Sequence, residues 1–206
     1  MTGPAARREV LAGCHAIVLA AGGASRFGGG KLLAPLGGRP LVGRAVGAAF
    51  AAPVETVRVV VGAEAERVRE AVLAAQTQQP EFVQCHAWQQ GLSASLRAGI
   101  DALPADARAV AIFLGDMPAL SGQLAGEVLR AVLGGAPAAY PVFGKVPGHP
   151  VALSRALFER VAHLEGDRGA RALIKDHPGV VRLPVDDPGC IADIDTRDDL
   201  RVYARA

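Results

Sequence analysis

Two cations stand in one glycine-rich stretch, Leu19-Ala20-Ala21-Gly22-Gly23-Ala24-Ser25-Arg26-Phe27-Gly28-Gly29-Gly30-Lys31. Glycine lets backbone N–H groups approach an anion closely, so such a loop can cradle phosphates while Arg26 and Lys31 neutralise them. Lys31 is then placed to offset charge developing at an α-phosphorus. An exposed turn carrying two solvated cations is the competing interpretation. The spacing does not fit GxxxxGK[ST], because Leu32 and Leu33 follow Lys31. It is also a poor GxGxxG fingerprint: Arg26 and Phe27 interrupt the glycines, and Pro35, Gly37, Gly38 and Pro40 delay the next helix.

A carboxylate follows in the right kind of place. Gly115-Asp116-Met117-Pro118 comes after the apolar run 109–114, which puts Asp116 at the carboxyl end of a buried strand. One or two carboxylates plus substrate phosphates suffice to hold Mg²⁺, although a turn or helix-capping Asp is the plainer alternative. Gln90-Gly91-Leu92-Ser93-Ala94-Ser95-Leu96-Arg97 by itself indicates a helix start. Cys14, Cys85 and Cys190 lie far apart, with no CxxC pair and no histidine at ligand spacing. Neither zinc nor a disulfide framework is indicated, and a reducing cytoplasm fits best.

The elements that must position these residues alternate along the chain. Strands are expected at 16–19, 57–61, 81–85 and 109–114, and helices at 41–50, 65–75, 93–102 and 123–133. That rhythm predicts an α/β fold: a three-layer, mostly parallel Rossmann-like sheet with right-handed crossovers. After Gly134-Gly135 it changes, and 138–143 with 149–153 suggests a small antiparallel insertion on the substrate side. Helices at 155–163 and 170–175, strands at 180–185 and 190–194 and a last helix from 197 complete the chain. Residues 1–13 are expected to be a flexible lead-in and 14–206 one domain.

Composition sets the outer bounds. The chain has 206 residues, half of them hydrophobic, which is enough for a core and too apolar for disorder. Only 4% are aromatic, so that core must be built from small aliphatic side chains. A net charge of +2 without a basic block gives no reason to expect nucleic acid. Leu11-Ala12-Gly13-Cys14 mimics a lipoprotein cleavage box, but too few apolar residues precede it for a signal, and no run suits a membrane helix.

Leu19 through Lys31, with Arg26, Gly28 and Lys31 at the matching positions and Ser25 one place beyond the motif's Ser, resembles the LAAGxSxRxGxxK motif of GT-A-like nucleotidyltransferases. Gly115-Asp116-Met117-Pro118, Pro147-Gly148-His149-Pro150-Val151, Gly166-Asp167-Arg168-Gly169-Ala170-Arg171 and the segment from Asp193 to Leu200 follow in order. Together they resemble the molybdenum cofactor cytidylyltransferases over residues 15–203. Arg197 departs from that pattern, standing where the motif DIDTPxD has Pro.

The resemblance implies transfer of CMP from CTP, or of another nucleotide, to molybdopterin carrying molybdenum, with release of pyrophosphate. It implies catalytic roles for Lys31, Arg26 and Asp116, and nucleotide contacts from Leu19, Ala20, Ala21, Gly22, Gly23, Ser25, Gly91, Ser93 and Ser95. His149 falls on the acceptor side, where closing a hairpin is the plainer role. Mg²⁺ would be held by Asp116 with Asp193 or Asp195; alternate strand residues face opposite ways, so at most one of the two readily enters the site, and Asp193 is the preferred second ligand. A molybdenum hydroxylase would receive the product. The rivals are another small-molecule or sugar-phosphate nucleotidyltransferase, a dinucleotide-dependent oxidoreductase and a non-catalytic molybdopterin-binding chaperone. Neither nucleic acid nor membrane is an expected partner.

Overall fold

The computed structural model describes residues 9–23 and 27–204; Ser25 and Arg26 therefore lie outside the described residues. β1 (Cys14–Ala20) is buried along its whole length. Its side chains alternate between two cores: Ala16, Val18 and Ala20 belong to one, Ile17 and Leu19 to the other. A strand apolar on both faces must be covered by helices on both. α1 (Leu41–Ala51) and α4 (Gly122–Leu133) pack on the first face, and α3 (Leu92–Asp101) on the second. Each fully buried Val, Leu or Ile is worth about 1.5–3 kcal/mol. The many buried alanines, among them Ala45, Ala49, Ala109, Ala111, Ala139 and Ala152, contribute less individually but let helices and sheet approach closely.

β1 pairs in parallel with β4 (Thr56–Val61) on one side and β6 (Ala109–Leu114) on the other, and β4 pairs with β5 (Glu81–Gln84). α2 (Ala65–Ala75) connects β4 to β5. Leu19 is in register with both Val60 and Leu114, so three neighbouring strands end at one level. From β1 the chain runs outward to β4 and β5 and then crosses back to β6 on the other side of β1, which makes this edge the switch point where open α/β sheets bind ligands.

The antiparallel segment is woven into the sheet. β9 (Val151–Ser154) lies between β6 and β7 (Ala138–Phe143), antiparallel to both, and β10 (Val181–Val185) runs parallel to β7 at the edge. Only β8 (Val146–Pro147) projects, as a hairpin on β7. Two short antiparallel strands, β2 (Pro35–Leu36) and β3 (Arg39–Pro40), precede α1.

Two expected elements differ. The helix expected at 155–163 is a 3₁₀ turn at Arg155–Leu157 followed by one turn, α5 (Phe158–Val161). The strand expected at 190–194 is absent; Pro188–Ile191 forms a 3₁₀ turn capped by Asp187, whose carboxylate accepts from Gly189 N at 2.9 Å. Pro188 lacks the N–H that a ladder requires and suits a helical first turn, so local turn chemistry overrides the apolar run.

α6 (Ala170–Ile174) and α7 (Arg197–Tyr203) complete the described chain. Of the expected lead-in, residues 9–13 are tied to the body: Gly13 N donates to Glu55 Oε1 at 2.9 Å and Leu11 N to the Pro53 carbonyl at 2.9 Å. No helix among the described residues is long and apolar enough to cross a membrane. All three cysteines are buried and free.

Candidate active site

A cleft of about 390 Å³ opens at the carboxyl ends of β1 and β6. Leu19, Ala20, Ala21, Gly22, Gly23, Lys31, Gly91, Ser95 and Asp116 line it, joined by Leu32, Trp88, Gln89, Leu92, Leu114 and Asp167. The sheet register explains why β1 and β6 supply its floor. Gly28, Gly29 and Gly30 all have positive φ, 84°, 86° and 65°, which frees the chain to turn back sharply before Lys31 starts a 3₁₀ turn. Glu64, which follows β4, accepts from Gly30 N at 3.0 Å and pairs with Arg67, fixing that turn.

The returning loop delivers Lys31 to two carboxylates. Its Nζ donates to Asp116 Oδ2 at 2.7 Å and to Asp195 Oδ1 at 3.1 Å. Burial acts to depress the Lys31 pKa, but the charges and hydrogen bonds of Asp116 and Asp195 outweigh it and raise the pKa above the ordinary lysine value. Asp195 is held by its neighbours: Ile194 N donates to the Asp116 carbonyl at 3.1 Å, and Ile194 packs with Phe27, Leu36 and Leu41. A capping box then starts α7, with Asp199 Oδ2 accepting from Thr196 N at 2.7 Å and from Asp195 N at 3.1 Å. Hydrogen bonds from Thr196 hold the Asp199 carboxyl below its usual range.

Asp193 is exposed and, among the described residues, is not hydrogen-bonded to Lys31, whereas Asp195 is. Partial loss of hydration and the charges of Asp195 and Asp116 raise the Asp193 pKa. The segment is not a strand, so the expected alternation of faces does not decide between the two. Asp116 and Asp195, with Asp193 beside them, fit a hard divalent cation that completes its shell with phosphate oxygens and water. Among the described residues no group of three or more His, Cys, Asp or Glu side chains forms a metal cage.

The opposite wall depends on one glycine. Gly91 has φ 100°, and a Cβ there would lie 2.5 Å from the Gly166 carbonyl group and 2.7 Å from Asp167 Oδ1. Ser93 N donates to the Gly166 carbonyl at 3.0 Å, and the Arg97 guanidinium donates to the Leu164 carbonyl. These contacts clamp the start of α3 to the segment 164–167. Asp167 does not cap a helix: α6 starts later, with Gly169 at its N-cap and no side-chain cap bond, and Asp167 lines the cleft instead.

Two expected contacts lie elsewhere. Ser93 is fully buried beneath the wall, its Oγ without a hydrogen-bond partner among the described residues. His149 is buried and does not line the cleft; its N donates to the Cys190 carbonyl at 2.8 Å, and its Nδ1 has no partner among the described residues. Burial and the Arg171 charge hold the His149 pKa down at about 3. Glu64 was legible only as a carboxylate after the second long strand, and nothing in its spacing marks it as the partner of Gly30. Arg197 places its guanidinium 5.0 Å from the Phe27 ring centroid, tying the glycine-rich loop to α7.

A family model described as the MobA-like NTP transferase domain matches residues 16–181. The chain is 33% identical over 190 residues to nicotine blue oxidoreductase of Paenarthrobacter nicotinovorans, covering 87% of this chain and 91% of that one. It is 30% identical to the purine catabolism protein PucB of Bacillus subtilis, covering 92% and 95%. Among solved structures, Rv0371C of Mycobacterium tuberculosis in complex with manganese superposes with a TM-score of 0.79 at 26% identity, covering 94% and 98%.

Proposed function

The chain belongs to the MobA-like NTP transferase family, and on that premise we propose that it transfers CMP from CTP to the terminal phosphate of molybdenum-bearing molybdopterin. Pyrophosphate leaves, and molybdopterin cytosine dinucleotide forms. The observation that carries the proposal is Lys31, brought from a glycine-rich loop to Asp116 and Asp195 beside a cleft at the sheet's switch point.

The chemistry asks little covalent work of the protein. An oxygen of the acceptor phosphate, already anionic near neutral pH, attacks the α-phosphorus in line, and the bond to pyrophosphate breaks. Alignment and charge neutralisation are what remain for the enzyme. Lys31 faces the transferring phosphoryl group, with Arg26 assisting. Leu19, Ala20, Ala21, Gly22 and Gly23, with Ser25, take the phosphates and ribose. Gly91 and Ser95 approach the base. Asp116 and Asp195, with Asp193 near them, would hold Mg²⁺, which neutralises charge on phosphate oxygens when bound. The manganese complex of a structural relative supports a divalent cation in this fold. His149, behind the cleft, shapes the acceptor side without touching the nucleotide. The enzyme works in the cytoplasm and passes its product to a molybdenum hydroxylase.

The test is pyrophosphate release measured with CTP, GTP and ATP in turn, with molybdopterin and Mg²⁺. Release that is fastest with CTP supports the proposal; release with GTP or ATP instead reassigns the nucleotide. No release with any of them favours a molybdopterin-binding chaperone.

One relative is named an oxidoreductase, which favours a second reading, redox chemistry with a dinucleotide cofactor. A dinucleotide site uses an acidic residue near the end of the second strand to bind ribose. Here the nearest carboxylate, Glu64, accepts from Gly30 N and pairs with Arg67, outside the cleft lining. Consumption of reduced nicotinamide cofactor by the purified protein would reverse the choice.

A further inference from the structure

A second cavity, of about 570 Å³, lies between α6, β10 and the β7–β8 hairpin and shares no lining residue with the cleft. Arg171, Lys175 and Arg182 line it, and the carboxylate of Asp176 is the single opposing charge. Among the described residues none of these three cations has a carboxylate within ion-pair distance. Their hydrogen bonds go to neutral groups: Arg171 Nη1 donates to the Pro147 carbonyl at 2.5 Å, and Arg182 Nε donates to Tyr140 Oη at 2.8 Å.

Tyr140 supplies the second observation. It is only 7% exposed. Because its oxygen accepts from Arg182, its own O–H proton is left to donate, and no acceptor for it is found among the described residues. Tyr140 lines the cavity, and its hydroxyl, already bonded to Arg182, keeps a donor available to an acceptor bound there. Two guanidinium forks, an ammonium and a phenol thus present donors to one space in which a single carboxylate accepts.

From this arrangement we infer a second ligand site, for a phosphate monoester. Two net positive charges match a phosphate dianion, and guanidinium groups bind its oxygens in pairs. The Tyr140 ring, Pro147 and Ile174 give the ester's organic part an apolar wall. Arg171 belongs to the Gly-Asp-Arg-Gly-Ala-Arg segment, whose first two residues serve the cleft wall while Arg171 lies outside it.

Amide NMR titrations of the full chain with inorganic phosphate and with phenyl phosphate test the inference. The expected result is saturable shifts at residues 140, 171–176 and 181–183, with phenyl phosphate binding more tightly. Equal affinity for the two probes assigns the site to free phosphate. Lys175 makes no hydrogen bond or ion pair within the described protein, so Lys175→Gln leaves the fold intact; it should weaken binding about tenfold, the loss of one charge-assisted contact. Arg171→Gln combined with Arg182→Gln should abolish the shifts. Lys31→Ala should leave this titration unchanged, which separates the inference from the fate of the cleft. Shifts that do not saturate, that appear only around the cleft, or that survive the double substitution overturn it.

Discussion

Lys31 Nζ lies 2.7 Å from Asp116 Oδ2, joining the glycine-rich loop after β1 to the end of β6 across 85 positions of sequence. Both side chains are largely shielded from solvent, 12% and 24% exposed. Asp195 shares the same ammonium, so one cation bridges two carboxylates. Any phosphate that Lys31 receives, and any cation the carboxylates hold, must form its contacts against this existing arrangement. Binding a nucleotide and a divalent cation together satisfies both sides at once, which makes cooperative binding of the two the natural expectation.

The two late aspartates are separable by mutation. Asp195→Asn removes one of the two carboxylates that hold Lys31 and should lower CMP transfer by about tenfold or more, where each tenfold corresponds to ~1.4 kcal/mol. Asp193→Asn, at an exposed side chain, should cost less. Steady-state kinetics of both variants checks the order, and a larger loss at Asp193 would contradict it.

Gly91→Ala places a Cβ against the Gly166 carbonyl group at a φ of 100°. The combined strain and clash should cost about 1–3 kcal/mol in urea unfolding. The displaced wall should also raise KM for the nucleotide more than it lowers kcat. A variant with wild-type stability and KM would show that the wall does not need this close approach.

His149 titrates near 6.5 when unfolded and at about 3 in the folded protein, because burial, then the Arg171 charge, oppose its protonation. Between these values the unfolded chain binds a proton that the folded chain refuses, so stability is lost as pH falls below about 6.5. His15, lowered by burial and by Arg58, contributes with the same sign. Between pH 7 and pH 5 the His149 contribution amounts to about 2 kcal/mol. His149→Gln should therefore lose less stability than wild type over that interval in urea titrations, and an equal loss would contradict the assignment.

Trp88 is the one tryptophan of the chain and lines the cleft. Intrinsic fluorescence should therefore change on nucleotide binding, saturably and with weaker apparent affinity in Lys31→Ala. A saturable binding isotherm by calorimetry with no fluorescence change would place the nucleotide away from Trp88.

The alternation of apolar runs and amphipathic stretches made the parallel half of the sheet legible, because buried strands and their covering helices leave opposite periodicities. Lys31 and Asp116 were legible for a related reason: glycines and a strand-end carboxylate are local features. The contact between Lys31 and Asp195 was not, since it depends on how Ile194 seats against Phe27, Leu36 and Leu41 and on a hydrogen bond to the Asp116 carbonyl. The strand expected at 190–194 failed because Asp187 and Pro188 favour a capped turn. His149 and Ser93 look like binding residues in a motif, yet packing buries both, and no linear spacing reveals that.

The most direct test of the central claim is CMP transfer by Lys31→Ala, followed as pyrophosphate release with CTP, Mg²⁺ and molybdopterin, beside a urea unfolding curve of the same variant. Loss of a preorganised charge at a transferring phosphoryl group should depress turnover by about 10²-fold or more. Loss of an ion pair this shielded should cost only about 1–3 kcal/mol of stability, leaving the variant folded. A folded Lys31→Ala protein that transfers CMP at the wild-type rate would contradict the account.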